Sequence, residues 1–90
     1  MTIELSNFSN IGEVHDFIAN ELGFPEYYGR NLDALYDMLS SYNDEIVIKL
    51  YGISDIYGAY ADDVNAMLDM FEYLQDESNS FKCLVDDYEL

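Results

Sequence analysis

Asp33 and Asp37 stand one helical turn apart within the stretch Phe24–Tyr42, and they are the acidic residues of this chain whose spacing most suggests chemistry. A separation of four residues places both carboxylates on one face of a helix. Like charges in that arrangement repel each other, at a cost of roughly 0.2–0.5 kcal/mol. Tyr36 lies beside them, and further tyrosines stand just upstream. We therefore expect something outside the helix to compensate for the repulsion.

A pair of carboxylates can serve several kinds of chemistry. A general acid and base need a cleft with two different environments, which helical neighbours facing water do not offer. A hard divalent cation needs further oxygen ligands, but the sequence has no EF-hand loop and no third ligand at a recognisable spacing. A solvated helix face is the usual interpretation of a charge run, and the clustered tyrosines weaken it here.

His15 and Cys83 are the other residues that could act as a base and a nucleophile. His15 lies next to the apolar stripe of a predicted helix, and Cys83 lies in the apolar stretch FKCLV. No sequence feature pairs them, so a structural histidine and a buried thiol are expected. The sequence also lacks a phosphate-binding glycine loop, a zinc-ligand pattern and a nucleophile elbow. We predict that the protein is not an enzyme and has no cofactor or metal site.

Two helices are predicted before the middle of the chain. The first begins after Asn10, which forms a capping box with Glu13, and it ends at Gly23, before Phe24 and Pro25. Its apolar residues fall at helical spacing: Ile11, Val14, Phe17, Ile18 and Leu22.

The second helix carries the two aspartates. Asn31 has the side chain of an N-cap residue, and the helix is predicted to continue to about Ser41. Its buried face consists of Leu32, Leu35 and Leu39. A different face consists of Asp33, Tyr36, Asp37 and Ser40, and we expect this face to be exposed.

Strands are predicted on either side of these helices. TIELSNF alternates weakly and opens the chain, EIVIKLYG is typical of a central strand buried on both faces, and FKCLV forms the last strand. GISDIYGAYADD is ambiguous between a short helix and an irregular crossing, and a clear helix begins near Asp62. Strands separated by helices favour a parallel sheet. The prediction is one α/β domain over residues 1–90, with a small three-stranded parallel sheet covered by helices.

The charge balance limits the possible partners. Nineteen acidic residues face only three basic ones, Arg30, Lys49 and Lys82, and the formal net charge is −16. Such a field repels nucleic acid and anionic membranes and attracts basic proteins. We therefore expect no direct binding to nucleic acid or to a membrane.

The location of the protein is predicted from its thiol content and its N-terminus. Cys83 is a lone cysteine, which fits a reducing compartment. MTIELSNF has no basic region, and no stretch of about 18 apolar residues occurs. A cytoplasmic location is expected.

The run PEYYGRNLDALYDML, residues Pro25–Leu39, resembles the signature of the barstar family. These proteins are cytoplasmic inhibitors and immunity proteins for guanyl-preferring ribonucleases, and their signature has the form PEYYGxNLDALWDxL. Tyr36 stands where the family has tryptophan, and Arg30 stands where it often has an acid. The resemblance implies a barstar-like fold and a monomer that forms a 1:1 complex with a basic ribonuclease or an RNase toxin.

The resemblance also implies which residues bind that partner. In the family, the loop after the first helix and the second helix plug the nuclease active site. The matching residues are Tyr27, Asn31, Asp33, Tyr36 and Asp37, with Ser41 and Tyr42 at the helix end and Glu72 or Tyr73 on the last helix. Asp37 would take the place of a substrate phosphate.

Two further hypotheses come from other functional classes. The charge of −16 would suit a nucleic-acid mimic that spreads its contacts over many carboxylates. An enzyme would use Asp33 and Asp37 with a divalent metal and would turn over substrate. An inhibitor would instead concentrate its contacts between Tyr27 and Tyr42.

Overall fold

The computed structural model describes the backbone of residues 1–90 and the side chains of residues 1–54 and 56–90. In chain order, the strands are β1 (Thr2–Leu5), β2 (Ile46–Leu50), β3 (Phe81–Val85) and β4 (Tyr88–Glu89), and the helices are α1 (Ile11–Leu22), α2 (Leu32–Ser40) and α3 (Ser54–Glu77). Both α1 and α2 lie between β1 and β2, and α3 connects β2 to β3. The predicted mixed α/β architecture is confirmed.

The strands form one sheet in the order β1-β2-β3-β4. β2 pairs in parallel with β1 and with β3, so that Ile3, Ile48 and Cys83 stand side by side across the sheet. The three predicted parallel strands are therefore present. The sheet also contains a fourth strand, β4, which was not predicted and which pairs antiparallel with β3.

The two faces of the sheet differ in burial. In β2, Ile46, Ile48 and Leu50 are buried, whereas Val47 and Lys49 between them are only half-buried. The predicted burial of β2 on both faces is therefore wrong, because the helices pack on one face only. We call the opposite side the outer face of the sheet. Alternation of this kind is the usual pattern of a sheet with one face partly open to water.

Both ends of α1 match their predicted signals. The Asn10 side chain accepts a hydrogen bond of 2.9 Å from the Glu13 amide, and the Glu13 carboxylate accepts one of 3.1 Å from the Ser9 amide. At the other end, Gly23 adopts a left-handed conformation with φ 69°, which a residue without Cβ reaches at little cost. These ends fix where the following loop leaves the helix.

The ambiguous segment after β2 is helical. α3 begins at Ser54, well before the predicted start near Asp62, and it bends at Tyr60, whose φ and ψ of −126° and 31° are not helical. Ile53 and Ile56 are buried and attach this first part to the core. Among the described side chains none caps its N-terminus, and no start signal was found there in the sequence.

The core lies between the sheet and the three helices. Its largest fully buried side chains come from every layer and include Ile18 of α1, Leu35 of α2, Ile48 of β2 and Phe71 of α3. Phe71 also packs against Phe81 of β3, with ring centroids 5.7 Å apart. Because α2 contributes Leu35 and Leu39 to this core, its orientation relative to the rest of the fold is fixed. Among the described residues, no helix combines the length and the apolar content needed to cross a membrane.

Candidate functional site

α2 carries the two aspartates on its exposed side, as predicted. The Asn31 side chain accepts a hydrogen bond of 2.8 Å from the Ala34 amide and so caps the helix. Leu35 and Leu39 bury the opposite side, and Asp33 and Asp37 are exposed to solvent. The capping and burial of α2 therefore hold both carboxylates outward.

The basic residues of the protein lie away from this helix face. Lys49 pairs with Glu4 at 3.7 Å and Lys82 with Glu89 at 4.0 Å, and both lysines lie on the outer face of the sheet. Within the part of the chain that is described, neither aspartate of α2 takes part in an ion pair. Among the described residues, no cation pairs with either aspartate to relieve their repulsion.

The two aspartates differ in their position along α2. Asp33 lies in the first turn, where the helix macrodipole favours a negative charge. Asp37 lies in the last turn, where the macrodipole opposes one. The Asp37 carbonyl accepts hydrogen bonds from the amide of Ser41, at 3.2 Å, and from its hydroxyl. The Asp37 carboxylate is thus held at an end of the helix that is already negative.

The loop before α2 is held by residues that point inward. The Tyr28 hydroxyl lies 2.6 Å from Nδ1 of the buried His15, and the Tyr28 ring packs edge-on against Phe24 at 5.0 Å. Burial and the neighbouring positive charge of Arg30 lower the pKa of His15, which favours the neutral ring. Burial raises the pKa of Tyr28 to about 12. This contact therefore joins the loop to α1 through two neutral groups.

Arg30 makes the second attachment of the loop. Its guanidinium donates to both carboxylate oxygens of Asp16, at 2.7 and 3.2 Å, and to the carbonyl of Gly12 at 3.4 Å. Arg30 has a φ of 53°, and a left-handed conformation costs a non-glycine residue roughly 1–2 kcal/mol. The bidentate contact with Asp16 helps to offset this cost. Together with the Tyr28 contact, this pair attaches the loop to α1 at two points.

Tyr27 points the other way. Its side chain is 81% exposed, although it adjoins the anchored Tyr28. An exposed aromatic ring on an ordered loop gives a large contact area at a small loss of entropy when a partner binds.

A cluster of two tyrosines and one carboxylate joins α2 to α3. The Tyr36 hydroxyl donates to Glu77 Oε1 at 2.6 Å, and the neighbouring Glu77 carboxylate raises the pKa of Tyr73. The rings of Tyr36 and Tyr73 lie 6.1 Å apart. The bond from Tyr36 lowers the pKa of Glu77, and the same bond is the main cause that raises the pKa of Tyr36 to about 12. The structure thus brings together two site residues predicted on different helices.

The other predicted site residues lie around this centre. Asn31 uses its side-chain oxygen to cap α2, and Ser41 is the C-cap of the same helix. Tyr42 is half-buried and packs at the margin of the core, with its hydroxyl 4.0 Å from Met1 Sδ. Glu72 is exposed on α3, and no hydrogen bond joins it to α2 in the described part of the structure. Of the two candidates on α3, Tyr73 is the one that reaches α2.

The residues considered for catalysis are in different surroundings. Cys83 is fully buried in β3, and this burial raises the pKa of its thiol to about 12, so the thiolate is scarce at neutral pH. His15 is buried in α1 against Tyr28. Among the described residues, no group of three or more His, Cys, Asp or Glu side chains could hold a metal ion.

Glu77 and the supports of the loop were missed by the sequence analysis. Tyr73 and Glu77 are four residues apart, a spacing that places them together on a helix and that could have suggested their contact. The bond from Tyr36 to Glu77 and the pair formed by Arg30 with Asp16 depend on how the helices pack. Neither contact has a signal in local sequence.

Comparison with known proteins identifies a matching family model and a similar curated protein. A family model described as "Barstar (barnase inhibitor)" matches residues 1–86. A protein of Bacillus subtilis (strain 168), described as "Putative ribonuclease inhibitor YrdF", is 39% identical over 89 residues, covering 93% of this chain and 94% of the relative. Both matches extend well beyond the run Pro25–Leu39.

Proposed function

The chain belongs to the barstar family, and we propose that it is a protein inhibitor that binds a basic ribonuclease or RNase toxin and blocks its active site. The family model is described as an inhibitor of barnase, and the Bacillus subtilis relative is described as a ribonuclease inhibitor. Such a protein acts by occupancy and not by catalysis. The proposed complex contains one copy of each protein.

The observation that carries this proposal is the exposed pair Asp33 and Asp37, which has no ion-pair partner among the described residues. The active site of a ribonuclease is built to hold phosphate, so it presents cationic donors. Charge-assisted hydrogen bonds between such donors and carboxylates are roughly twice as strong as neutral ones. A cationic pocket would therefore relieve the repulsion that the free inhibitor retains.

The two aspartates have different proposed roles. Asp37 takes the place of a substrate phosphate and accepts hydrogen bonds from arginines and the catalytic histidine of the nuclease. Asp33 adds a second contact one turn earlier, and Tyr27 covers the rim of the pocket from the loop. Tyr36 and Tyr73 extend the contact surface across α2 and α3, with Asn31, Ser41, Tyr42 and Glu72 at its margins.

The free protein supports this arrangement by being already ordered. The loop is attached through Tyr28 and Arg30, and α2 is fixed by Leu35 and Leu39. Binding then requires little ordering of the backbone, which lowers the entropic cost of association. The proposed setting is the cytoplasm, where the inhibitor protects its own cell from a secreted RNase or from an RNase toxin.

Calorimetric titration against a panel of small basic ribonucleases that includes barnase tests the proposal. Asp37→Ala should bind far more weakly than the wild type, because the cationic groups of the nuclease would stay buried without a counter-charge. Glu26→Ala is the matched control, since Glu26 is an exposed acid in the same loop as Tyr27. A loss at Asp37 no larger than that at Glu26 would refute the active-site plug.

The net charge of −16 also favours a second candidate, an acidic mimic of nucleic acid that occupies a DNA- or RNA-binding protein. Such a mimic spreads its contacts over many carboxylates. Equal, small losses for Asp37→Ala and Glu26→Ala would support it.

A further inference from the structure

We propose that Glu77 is a positioning residue of the ribonuclease-binding surface, holding the rings of Tyr36 and Tyr73 in the orientation in which they meet the nuclease. This inference rests on the proposed function. It assigns a role to the last residue of α3.

The geometry of the cluster is specific. The Glu77 carboxylate accepts from the Tyr36 hydroxyl at 2.6 Å, and the rings of Tyr36 and Tyr73 lie 6.1 Å apart at an interplanar angle of 45°. Tyr36 belongs to α2, whereas Tyr73 and Glu77 are one turn apart on α3. Glu77 therefore holds Tyr36 directly, and the ring contact between Tyr36 and Tyr73 links the second aromatic side chain to it.

Solvation of the hydroxyls does not require this cluster. Tyr73 is 59% exposed, and an exposed hydroxyl can bond to water as readily as to a carboxylate. The effect of Glu77 is instead to restrict where the two rings can go. Tyr36 directly precedes Asp37, so the restriction acts next to the proposed centre of the interface.

The charge state of Glu77 suits this task. Its hydrogen bond from Tyr36 lowers its pKa, so it stays an anionic acceptor at neutral pH. The same contact raises the pKa of Tyr36 to about 12, which keeps its hydroxyl protonated as a donor. Both partners therefore remain in the states that the hydrogen bond needs across the physiological range.

Holding the rings in advance should matter for affinity. Immobilising a flexible side chain at an interface costs roughly 0.5–1.5 kcal/mol, which corresponds to about a two- to tenfold change in the dissociation constant. If Glu77 has already restricted both rings, the free-energy cost of immobilising them is smaller when the nuclease binds. Removal of Glu77 should therefore weaken binding by roughly two- to tenfold even though the aromatic surface is still present.

The experiment compares Glu77→Ala with Asp76→Ala. Asp76 is the preceding exposed acid on α3, so the control removes the same charge from the same helix end. Dissociation constants and off-rates are measured against the member of the ribonuclease panel that the wild type binds. Both single variants are repeated in a background that carries Tyr36→Phe and Tyr73→Phe, where the rings remain but the hydroxyls are gone.

The expected result is a loss for Glu77→Ala that exceeds the loss for Asp76→Ala and disappears in the phenylalanine background. NMR titration of the tyrosine ring carbons in the free protein should also show the pKa of Tyr36 falling from about 12 toward its ordinary value of 10.0 in Glu77→Ala. If Glu77 only stabilised the fold, Glu77→Ala would lower the thermal stability. Its effect on the dissociation constant would then be the same with and without the tyrosine hydroxyls.

Each of the following results would overturn the inference. Equal losses of affinity for Glu77→Ala and Asp76→Ala would mean that Glu77 contributes only its negative charge. A loss of affinity that persists in the phenylalanine background would mean that Glu77 contacts the nuclease directly. An unchanged Tyr36 pKa would show that Glu77 does not hold that ring. If the wild type binds no ribonuclease of the panel, the proposed function fails and this inference fails with it. If the wild type binds and Glu77→Ala binds equally well, only the inference fails.

Discussion

Replacing Asp37 by alanine should make the free protein more stable while it weakens partner binding. Three effects at this position favour alanine. The change removes the i, i+4 repulsion with Asp33, worth roughly 0.2–0.5 kcal/mol. It removes a negative charge from the last turn of α2, worth roughly 0.3–1 kcal/mol. It also places the best helix former on an exposed helical site, a gain of up to about 0.7 kcal/mol.

The net gain should be on the order of 1 kcal/mol, because salt screening reduces both charge effects at an exposed site. For a domain of this size, 1 kcal/mol raises the melting temperature by roughly 4–8 °C. Thermal melts and urea titrations at low ionic strength measure the gain. The dependence of unfolding free energy on urea should stay unchanged, because the change does not alter the buried surface.

Asp33→Ala is the matched control for this prediction. It removes the same repulsion from the same helix, but it also removes a charge that the first turn favours, so its stability should stay near that of the wild type. Both variants should bind the nuclease more weakly. A loss of stability in Asp37→Ala would refute the reasoning, since it would mean that this carboxylate has a stabilising partner in the free fold.

Three further predictions concern the loop, the buried histidine and the net charge. Tyr27→Ala should weaken nuclease binding by at least about tenfold and change stability by less than about 0.5 kcal/mol, as calorimetry and thermal melts will show; a sharp fall in melting temperature with intact affinity would place Tyr27 in the core. The lowered pKa of His15 means that the unfolded chain takes up the proton first, so this contribution to stability is present above pH 6.5 and is lost as the pH falls from 6.5 toward the folded pKa. As the pH falls from 7.5 to 5, urea titrations should show the wild type losing unfolding free energy relative to His15→Phe. If the difference in unfolding free energy between the two proteins does not change with pH, the assignment is contradicted. Stopped-flow mixing should show an association rate that falls with salt while the dissociation rate changes less, and a salt-independent association rate would exclude electrostatic steering.

Much of the fold could be predicted because its signals are local. Asn10 and Gly23 mark the two ends of α1 through side-chain capping and left-handed geometry, and both depend on a few neighbouring residues. The exposure of Asp33, Asp37 and Ser40 on α2 followed from helical periodicity alone, whereas Tyr36 on the same predicted face is half-buried against the core. These predictions needed no knowledge of how the elements pack.

The errors arise where the structure depends on tertiary contacts. β2 reads as a continuous apolar run, but only the packed molecule shows that helices cover one of its faces. The first turns of α3 have no side-chain cap, and they are held by the burial of Ile53 and Ile56. β4 is only two residues long, too short for alternation to be recognised. The first two elements therefore depend on packing for their description, and the third is too short to leave a pattern.

The candidate site shows the same division. The aspartates of α2 could be found from their spacing, and the partner-binding role came from the resemblance of the run Pro25–Leu39 to a known family. Glu77 could not be linked to Tyr36, because 41 residues separate them and only the packing of α2 on α3 brings them together.

The opposite orientations of Tyr27 and Tyr28 bear on how the specificity of this protein could be redesigned. These two adjacent tyrosines differ in their contacts, since Tyr28 attaches the loop to His15 and Tyr27 extends into solvent. A library that varies position 27 and keeps Tyr28, His15 and Arg30 would present new side chains on an unchanged backbone. Selection from such a library could redirect the inhibitor toward other nucleases without a search for compensating stabilising mutations. Because Tyr27 does not hold the loop in place, natural substitutions at this position can change the binding preference while the fold is retained.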